Sequence, residues 1–219
     1  MEAKEILAKV DHTLLKQTAT WEEIKRICEE AKTYHTATVM VPSCFIARIK
    51  ETYGESVKAA TVVGFPNGNC STAAKIAETA QALADGAEEI DMVINIGALK
   101  EGNTDYVTGE IKALKQLCGQ RVLKVIVETC FLTEEEKIAA CKCVTEGGAD
   151  FIKTSTGFGS AGATIEDIKL FREHIGKGVQ MKAAGGIHTR EEMVGFIEAG
   201  CTRLGASAAV KVLKDEVDK

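Results

Sequence analysis

Two lysines and an aspartate form the most chemically specific pattern in this sequence. Lys153 ends the run Asp150-Phe151-Ile152-Lys153 and is followed by Thr154-Ser155-Thr156-Gly157-Phe158-Gly159. Lys182 stands in Val179–Ala183, just before Ala184-Gly185-Gly186, and Asp91 is the third residue of Glu89-Ile90-Asp91-Met92-Val93. A lysine at the end of an apolar run has two possible environments. It can snorkel to water, or it can be desolvated, with its amine freed as a nucleophile. An ordinary lysine titrates near ~10.4 and is protonated at neutral pH. A second ammonium close by disfavours that charge and frees the amine, and a carboxylate in the same pocket can move protons. Adjacent parallel strands lie about 4.8 Å apart, so lysines ending two consecutive strands can approach closely. Together these groups are the equipment for imine chemistry on a carbonyl substrate.

Eight β-rich runs would position them: 6–15, 37–41, 59–65, 89–95, 122–129, 150–155, 179–183 and 202–206. A helical pattern follows each, the last at 208–217. Capping boxes mark helix starts at Thr20/Glu23, Thr133/Glu136 and Thr189/Glu192, with a looser copy at Thr164. The segments Ala84-Asp85-Gly86-Ala87, Glu146-Gly147-Gly148-Ala149 and Glu198-Ala199-Gly200-Cys201 each end a helix on glycine ahead of a strand. Eight strand–helix units in 219 residues, with no linker, predict one (β/α)8 TIM barrel, an α/β fold, as a single domain over 1–219.

Side chains alternate along strands, and one face is consistently apolar: Ile90, Met92 and Ile94; Leu123, Val125 and Val127; Val179 and Met181; Leu204. That face must pack on the helices. Asp91, Lys124, Glu128, Lys153, Lys182 and Arg203 then point into the barrel. Parallel strands are usually apolar on both faces, so this ring of charge requires a reason. A satisfied ion-pair network would explain the charge balance, but not two lysines ending consecutive strands. The loops Ala183-Ala184-Gly185-Gly186 and Gly205-Ala206-Ser207 either turn the chain or bind an anion through backbone N–H groups and a helix N-terminus.

Composition narrows the classes. A net charge of −5 without a dense Lys/Arg run argues against a nucleic-acid surface. No apolar run is long enough to span a bilayer, and Met1-Glu2-Ala3-Lys4-Glu5 has no signal core, so the expected location is cytoplasmic. Eight cysteines without a C-x-x-C read as reduced thiols, and the four histidines lack metal-ligand spacing. Gly157-Phe158-Gly159-Ser160-Ala161-Gly162 fits G-x-G-x-x-G, but it follows a lysine-bearing strand in the sixth unit and does not indicate a nicotinamide site. An isomerase or epimerase using Lys and Asp as acid and base, and a non-catalytic binding barrel, are the competing readings.

Six ordered segments carry a resemblance: Asp11-His12-Thr13-Leu14-Leu15, Val63-Gly64-Phe65-Pro66-Asn67-Gly68, Glu89-Ile90-Asp91-Met92-Val93, Lys124-Val125-Ile126-Val127-Glu128-Thr129, Phe151 to Phe158, and Lys182-Ala183-Ala184-Gly185-Gly186-Ile187. On these the chain resembles the deoxyribose-phosphate aldolase family over nearly its full length. The resemblance implies a class I aldolase without metal or other cofactor. Such an enzyme reversibly cleaves 2-deoxy-D-ribose 5-phosphate to glyceraldehyde 3-phosphate and acetaldehyde, in deoxyribose phosphate catabolism. It implies Lys153 as the Schiff-base lysine, Lys182 as the lysine that lowers its pKa, and Asp91 as a proton relay. Asp11 and Lys124 are implied as supporting polar residues toward substrate. Thr156, Gly157, Gly185, Gly186, Gly205 and Ser207 are implied to bind phosphate. Ser207 is followed by Ala208 where some members carry a second serine, so backbone donors must replace one hydroxyl. The implied partners are small phosphorylated sugars and aldehydes, with a homo-oligomer (dimer or tetramer) as a possibility left open.

Overall fold

Eight parallel strands close into a barrel in chain order, each hydrogen-bonded to the next and β8 to β1. The computed structural model describes residues 1–218. The strands are β1 (Val10–Thr13), β2 (Thr38–Val41), β3 (Ala59–Val63), β4 (Glu89–Val93), β5 (Val122–Ile126), β6 (Phe151–Lys153), β7 (Gln180–Ala184) and β8 (Arg203–Ala206). Around them run α1 (Ala3–Leu7), α2 (Trp21–Tyr34), α3 (Ile46–Tyr53), α4 (Thr72–Ala84), α5 (Ile96–Lys100), α6 (Thr104–Cys118), α7 (Glu134–Glu146), α8 (Ile165–His174), α9 (Arg190–Ala199) and α10 (Ala209–Val217). The caps read from sequence are in place. Thr20, Thr133 and Thr189 each close a reciprocal box, and Thr164 accepts only from the Asp167 amide. Gly86, Gly148 and Gly200 end their helices with φ of 102°, 75° and 121°.

The run at 6–15, expected as one strand, is divided. Ala3, Ile6, Leu7 and Val10 recur at helical spacing, and the Glu2 amide donates to Glu5 Oε2 at 2.8 Å. The first part therefore coils into α1, and only Val10–Thr13 enters the sheet. The third, fourth, fifth and sixth strands also stop two or three residues short of their expected ends. Asn95 leaves the sheet to cap α5, and Glu128 turns into the left-handed region.

Strand register sorts the inward side chains into layers of four from alternate strands. The lowest holds Thr38, Glu89, Phe151 and Arg203, and the next holds Asp11, Ala60, Lys124 and Lys182. Above them come Met40, Asp91, Lys153 and Gly205, followed by Thr13, Val62, Ile126 and Ala184 at the mouth. The opposite faces, including Ile90, Met92, Leu123, Val125, Ile152 and Leu204, are buried beneath the helices. All eight cysteines are free. Among the described residues, no helix is long and apolar enough to cross a membrane.

One buried ion pair lies outside the barrel interior. Lys75 on α4 donates to Glu110 Oε2 on α6 at 2.7 Å and to the Val93 carbonyl at 2.8 Å, with both side chains fully buried. It ties two helices to the end of β4. Removing one partner leaves an uncompensated buried charge. Lys75→Met should therefore cost about 3–5 kcal/mol in urea unfolding, and adding Glu110→Leu should recover most of that loss.

Candidate active site

Asp91 is the centre of a buried charge cluster. Its Oδ2 accepts from Lys153 Nζ at 2.8 Å and from Lys182 Nζ at 2.7 Å, and its Oδ1 accepts from Lys124 Nζ at 2.8 Å. Lys182 also contacts Asp11 Oδ2 closely. Asp11 Oδ1 accepts from Thr38 Oγ1 at 2.8 Å and from Arg203 Nη1 at 2.6 Å. Glu89 bonds Lys124 at 2.5 Å and Arg203 through both of its oxygens, at 2.8 and 3.3 Å. Six strands contribute its charges and β2 adds the Thr38 hydroxyl, and Lys153 and Lys182 are direct register partners on β6 and β7.

The lysines differ because their surroundings differ. Burial pushes down the pKa of Lys124, but Asp11, Asp91 and Glu89 together outweigh it and hold the ammonium above its ordinary value. At Lys153 burial acts first, the ammoniums of Lys182 and Lys124 act in the same direction, and the single carboxylate of Asp91 does not compensate. The amine falls to about 8. Burial outranks the neighbouring lysine as the cause, which reverses the emphasis expected from sequence. Burial would raise the Asp91 carboxyl, but Lys124, Lys153 and Lys182 hold it well below the ordinary range, and Asp11 is lowered in the same way by Lys124, Lys182 and Arg203.

Above the cluster a cavity of about 280 Å³ opens at the C-terminal ends of the strands. Lys153 is the only cluster member that lines it. Thr156, Gly157, Gly185, Gly186, Gly205 and Ser207 share its wall, so every residue assigned to anion binding on a loop faces the space that receives Lys153. The two glycine loops meet closely. A Cβ on Gly185 would lie 3.2 Å from Gly162 Cα and 3.4 Å from Gly157 Cα. Ala208 caps α10 without a side-chain hydrogen bond.

Asp11 and Lys124, expected as polar residues toward substrate, lie beneath the floor, fully buried, and touch Asp91 and Lys182 instead. Sequence reasoning placed Arg203 on the inner face without a role, passed over Glu89, and missed Lys16 and His188 on the cavity wall. The signal for Lys16 was available, since it immediately follows the Asp11-His12-Thr13-Leu14-Leu15 segment at the mouth of the first strand.

The family model for DeoC/LacD family aldolases matches residues 6–211. The chain belongs to that family. It is 62% identical to a protein of Clostridium botulinum (strain Alaska E43 / Type E3) named deoxyribose-phosphate aldolase, over 99% of this chain and 98% of that one. A protein of the same name from Clostridioides difficile (strain 630) is 50% identical over 97% of each chain. Among solved structures, the tetrameric deoxyribose phosphate aldolase from Aeropyrum pernix superposes with a TM-score of 0.88 at 28% identity, covering 98% of this chain and 92% of that one.

The charges around Lys153 make its titration testable. The reactive fraction of neutral amine should rise with pH through about 8 and fall roughly tenfold per unit below it. Lys182→Met removes one ammonium and leaves Asp91 with a stronger hold on the Lys153 proton. Both effects act in the same direction, so the acid limb of carbonyl-trapping rate against pH should move up by about 1 unit or more. An unmoved limb would show that Lys182 does not tune the amine.

Proposed function

We propose that this chain is a class I aldolase that reversibly cleaves 2-deoxy-D-ribose 5-phosphate to D-glyceraldehyde 3-phosphate and acetaldehyde through a Schiff base on Lys153. One observation carries the reading: a lysine with its pKa lowered to about 8 is the sole member of a buried charge cluster to reach the cavity, and that cavity is walled by glycine loops. Family membership and the relatives named deoxyribose-phosphate aldolase supply the substrate.

In the cleavage direction, neutral Lys153 Nζ adds to the C1 aldehyde of the open-chain sugar. Loss of water gives an iminium, which acts as an electron sink. A base takes the C3 hydroxyl proton, the C2–C3 bond breaks, and its electrons pass into the iminium as an enamine. C3 leaves as the aldehyde of glyceraldehyde 3-phosphate. The enamine is protonated at C2, and water releases acetaldehyde and the amine. Asp91 Oδ2, already bonded to both lysines, is the group placed to exchange protons at the nitrogen. Lys182 keeps Asp91 in place and disfavours the ammonium form of Lys153. Backbone amides at Gly157, Gly185, Gly186 and Gly205, with Thr156 and Ser207, form the cradle for the phosphate.

A phosphorylated sugar does not cross a bilayer unaided, which supports a cytoplasmic enzyme. The tetrameric relative from Aeropyrum pernix supports a homo-oligomer.

Borohydride trapping with acetaldehyde, followed by peptide mass spectrometry, tests the reading. A two-carbon adduct is expected on Lys153 and should vanish in Lys153→Met. An adduct on Lys182 instead would reverse the two lysine roles. Folded protein with no adduct would replace covalent catalysis with acid–base chemistry.

A further inference from the structure

Among the described residues six side-chain carboxylates are buried: Asp11, Glu89, Asp91, Glu110, Glu128 and Asp167. Five pair with a lysine or arginine, Asp167 with Lys137 at 2.6 Å. Among the described residues Glu128 has no cationic partner. It also sits in the left-handed backbone region (φ 55°, ψ 67°), where a residue with a side chain is uncommon and strained. A buried, unpaired charge on a strained backbone needs compensation from its surroundings.

The compensation comes from one turn. Glu128 Oε1 accepts the Thr156 amide at 3.1 Å, and the Thr156 hydroxyl donates closely to Oε2. The same hydroxyl oxygen accepts the Phe158 amide at 3.0 Å. The chain then wraps around the carboxylate, since a Cβ on Gly159 would lie 3.2 Å from Glu128 Cδ. Thr156, Gly157 and Phe158 line the cavity beside Lys153, with Gly157 against Gly185.

We infer that Glu128 is a positioning residue: by holding the Thr156 amide and hydroxyl it fixes the Thr156–Phe158 turn as one wall of the cradle for the phosphorylated end of the substrate. This inference rests on the aldolase reading above. The chemistry calls for a carboxylate. The Thr156 hydroxyl accepts from the Phe158 amide and donates its proton to Oε2, and the Thr156 amide supplies a second donor to Oε1. A glutamine in the same rotamer accepts one of these donors and opposes the other with its own N–H.

The test compares cleavage of 2-deoxyribose 5-phosphate with that of unphosphorylated 2-deoxyribose, at matched pH. In Glu128→Gln, KM for the phosphorylated sugar should rise about tenfold, and the preference for it in kcat/KM should fall by a similar factor. Thr156→Val should reproduce the loss, Thr156→Ser should largely avoid it, and Glu128→Gln combined with Thr156→Val should be no worse than Thr156→Val alone. A lower melting temperature with the preference intact would make Glu128 merely structural and overturn the inference. An equal fall in kcat for both sugars would also overturn it, because Glu128 would then act at Lys153. If Glu128→Gln does not fold, an unchanged preference in Thr156→Val overturns it. Wild-type protein that cleaves neither sugar and forms no Lys153 adduct defeats the aldolase reading and this inference with it. A wild-type preference retained in active Glu128→Gln defeats the inference alone.

Discussion

The Asp91 carboxylate, buried against three lysines, is the interaction on which the rest of the structure depends. Asp91 is the only carboxylate that pairs with Lys153 and the one that all three lysines share, and its own burial would be costly without them. The network draws on β1, β4, β5, β6, β7 and β8. A one-residue slip in any of these strands would turn its charge toward the helices and leave its partners unsatisfied. Register and chemistry are therefore specified by the same contacts.

The cluster also determines which lysine becomes reactive. Three carboxylates, Asp11, Glu89 and Asp91, face four cations, Lys124, Lys153, Lys182 and Arg203. Neutralising one cation balances the set. Lys124 touches all three carboxylates and keeps its proton, whereas Lys153 touches one and loses its proton most easily. Lys153 also borders the cavity, so the group that loses its proton most easily is the group a carbonyl can reach. Identical side chains diverge here through the number of carboxylates around each and the layer in which it sits.

Much of this was legible in the sequence because strand alternation is a strict geometric rule. Asp91, Lys124, Lys153, Lys182 and Arg203 all fall on the inner face that alternation assigned to them. Glu128 does not follow the alternation: the strand ends at Ile126, the residue leaves extended geometry, and its buried carboxylate meets Thr156 instead of the charge cluster. Asp11 was identified only through family resemblance, because its neighbours Val10 and His12 do not make a clear alternating pattern. Lys75 was invisible: a lysine in Ala73-Ala74-Lys75-Ile76 reads as a solvated helix position, and only the approach of Glu110 from α6 makes its burial tolerable. The first helix was misread because four apolar residues at helical spacing sit in a run also dense enough to suggest a strand. The local signals were present, but contacts between distant elements cannot be read from periodicity.

The lowered pKa of Lys153 depends on dryness, and dryness depends on the far end of the barrel. The lowest layer is Thr38, Glu89, Phe151 and Arg203. Arg203 bonds both oxygens of Glu89 and stands 5.5 Å from the Phe151 ring centroid. Their side chains retain only 15% and 11% exposure, while Asp11, Asp91, Lys124 and Lys182 above them retain none. Arg203 also reaches up to Asp11, which joins the closure to the layer holding Lys182. The exposure left at this end is confined to Arg203 and Glu89, and the cluster members between them and Lys153 have none. A hydrated lower end would screen Lys182 and Lys124 from Lys153 and restore much of the solvation that burial removes, and both changes favour the ammonium. The ion pair at the closed end thus helps set the reactivity of an amine two layers away, without touching it.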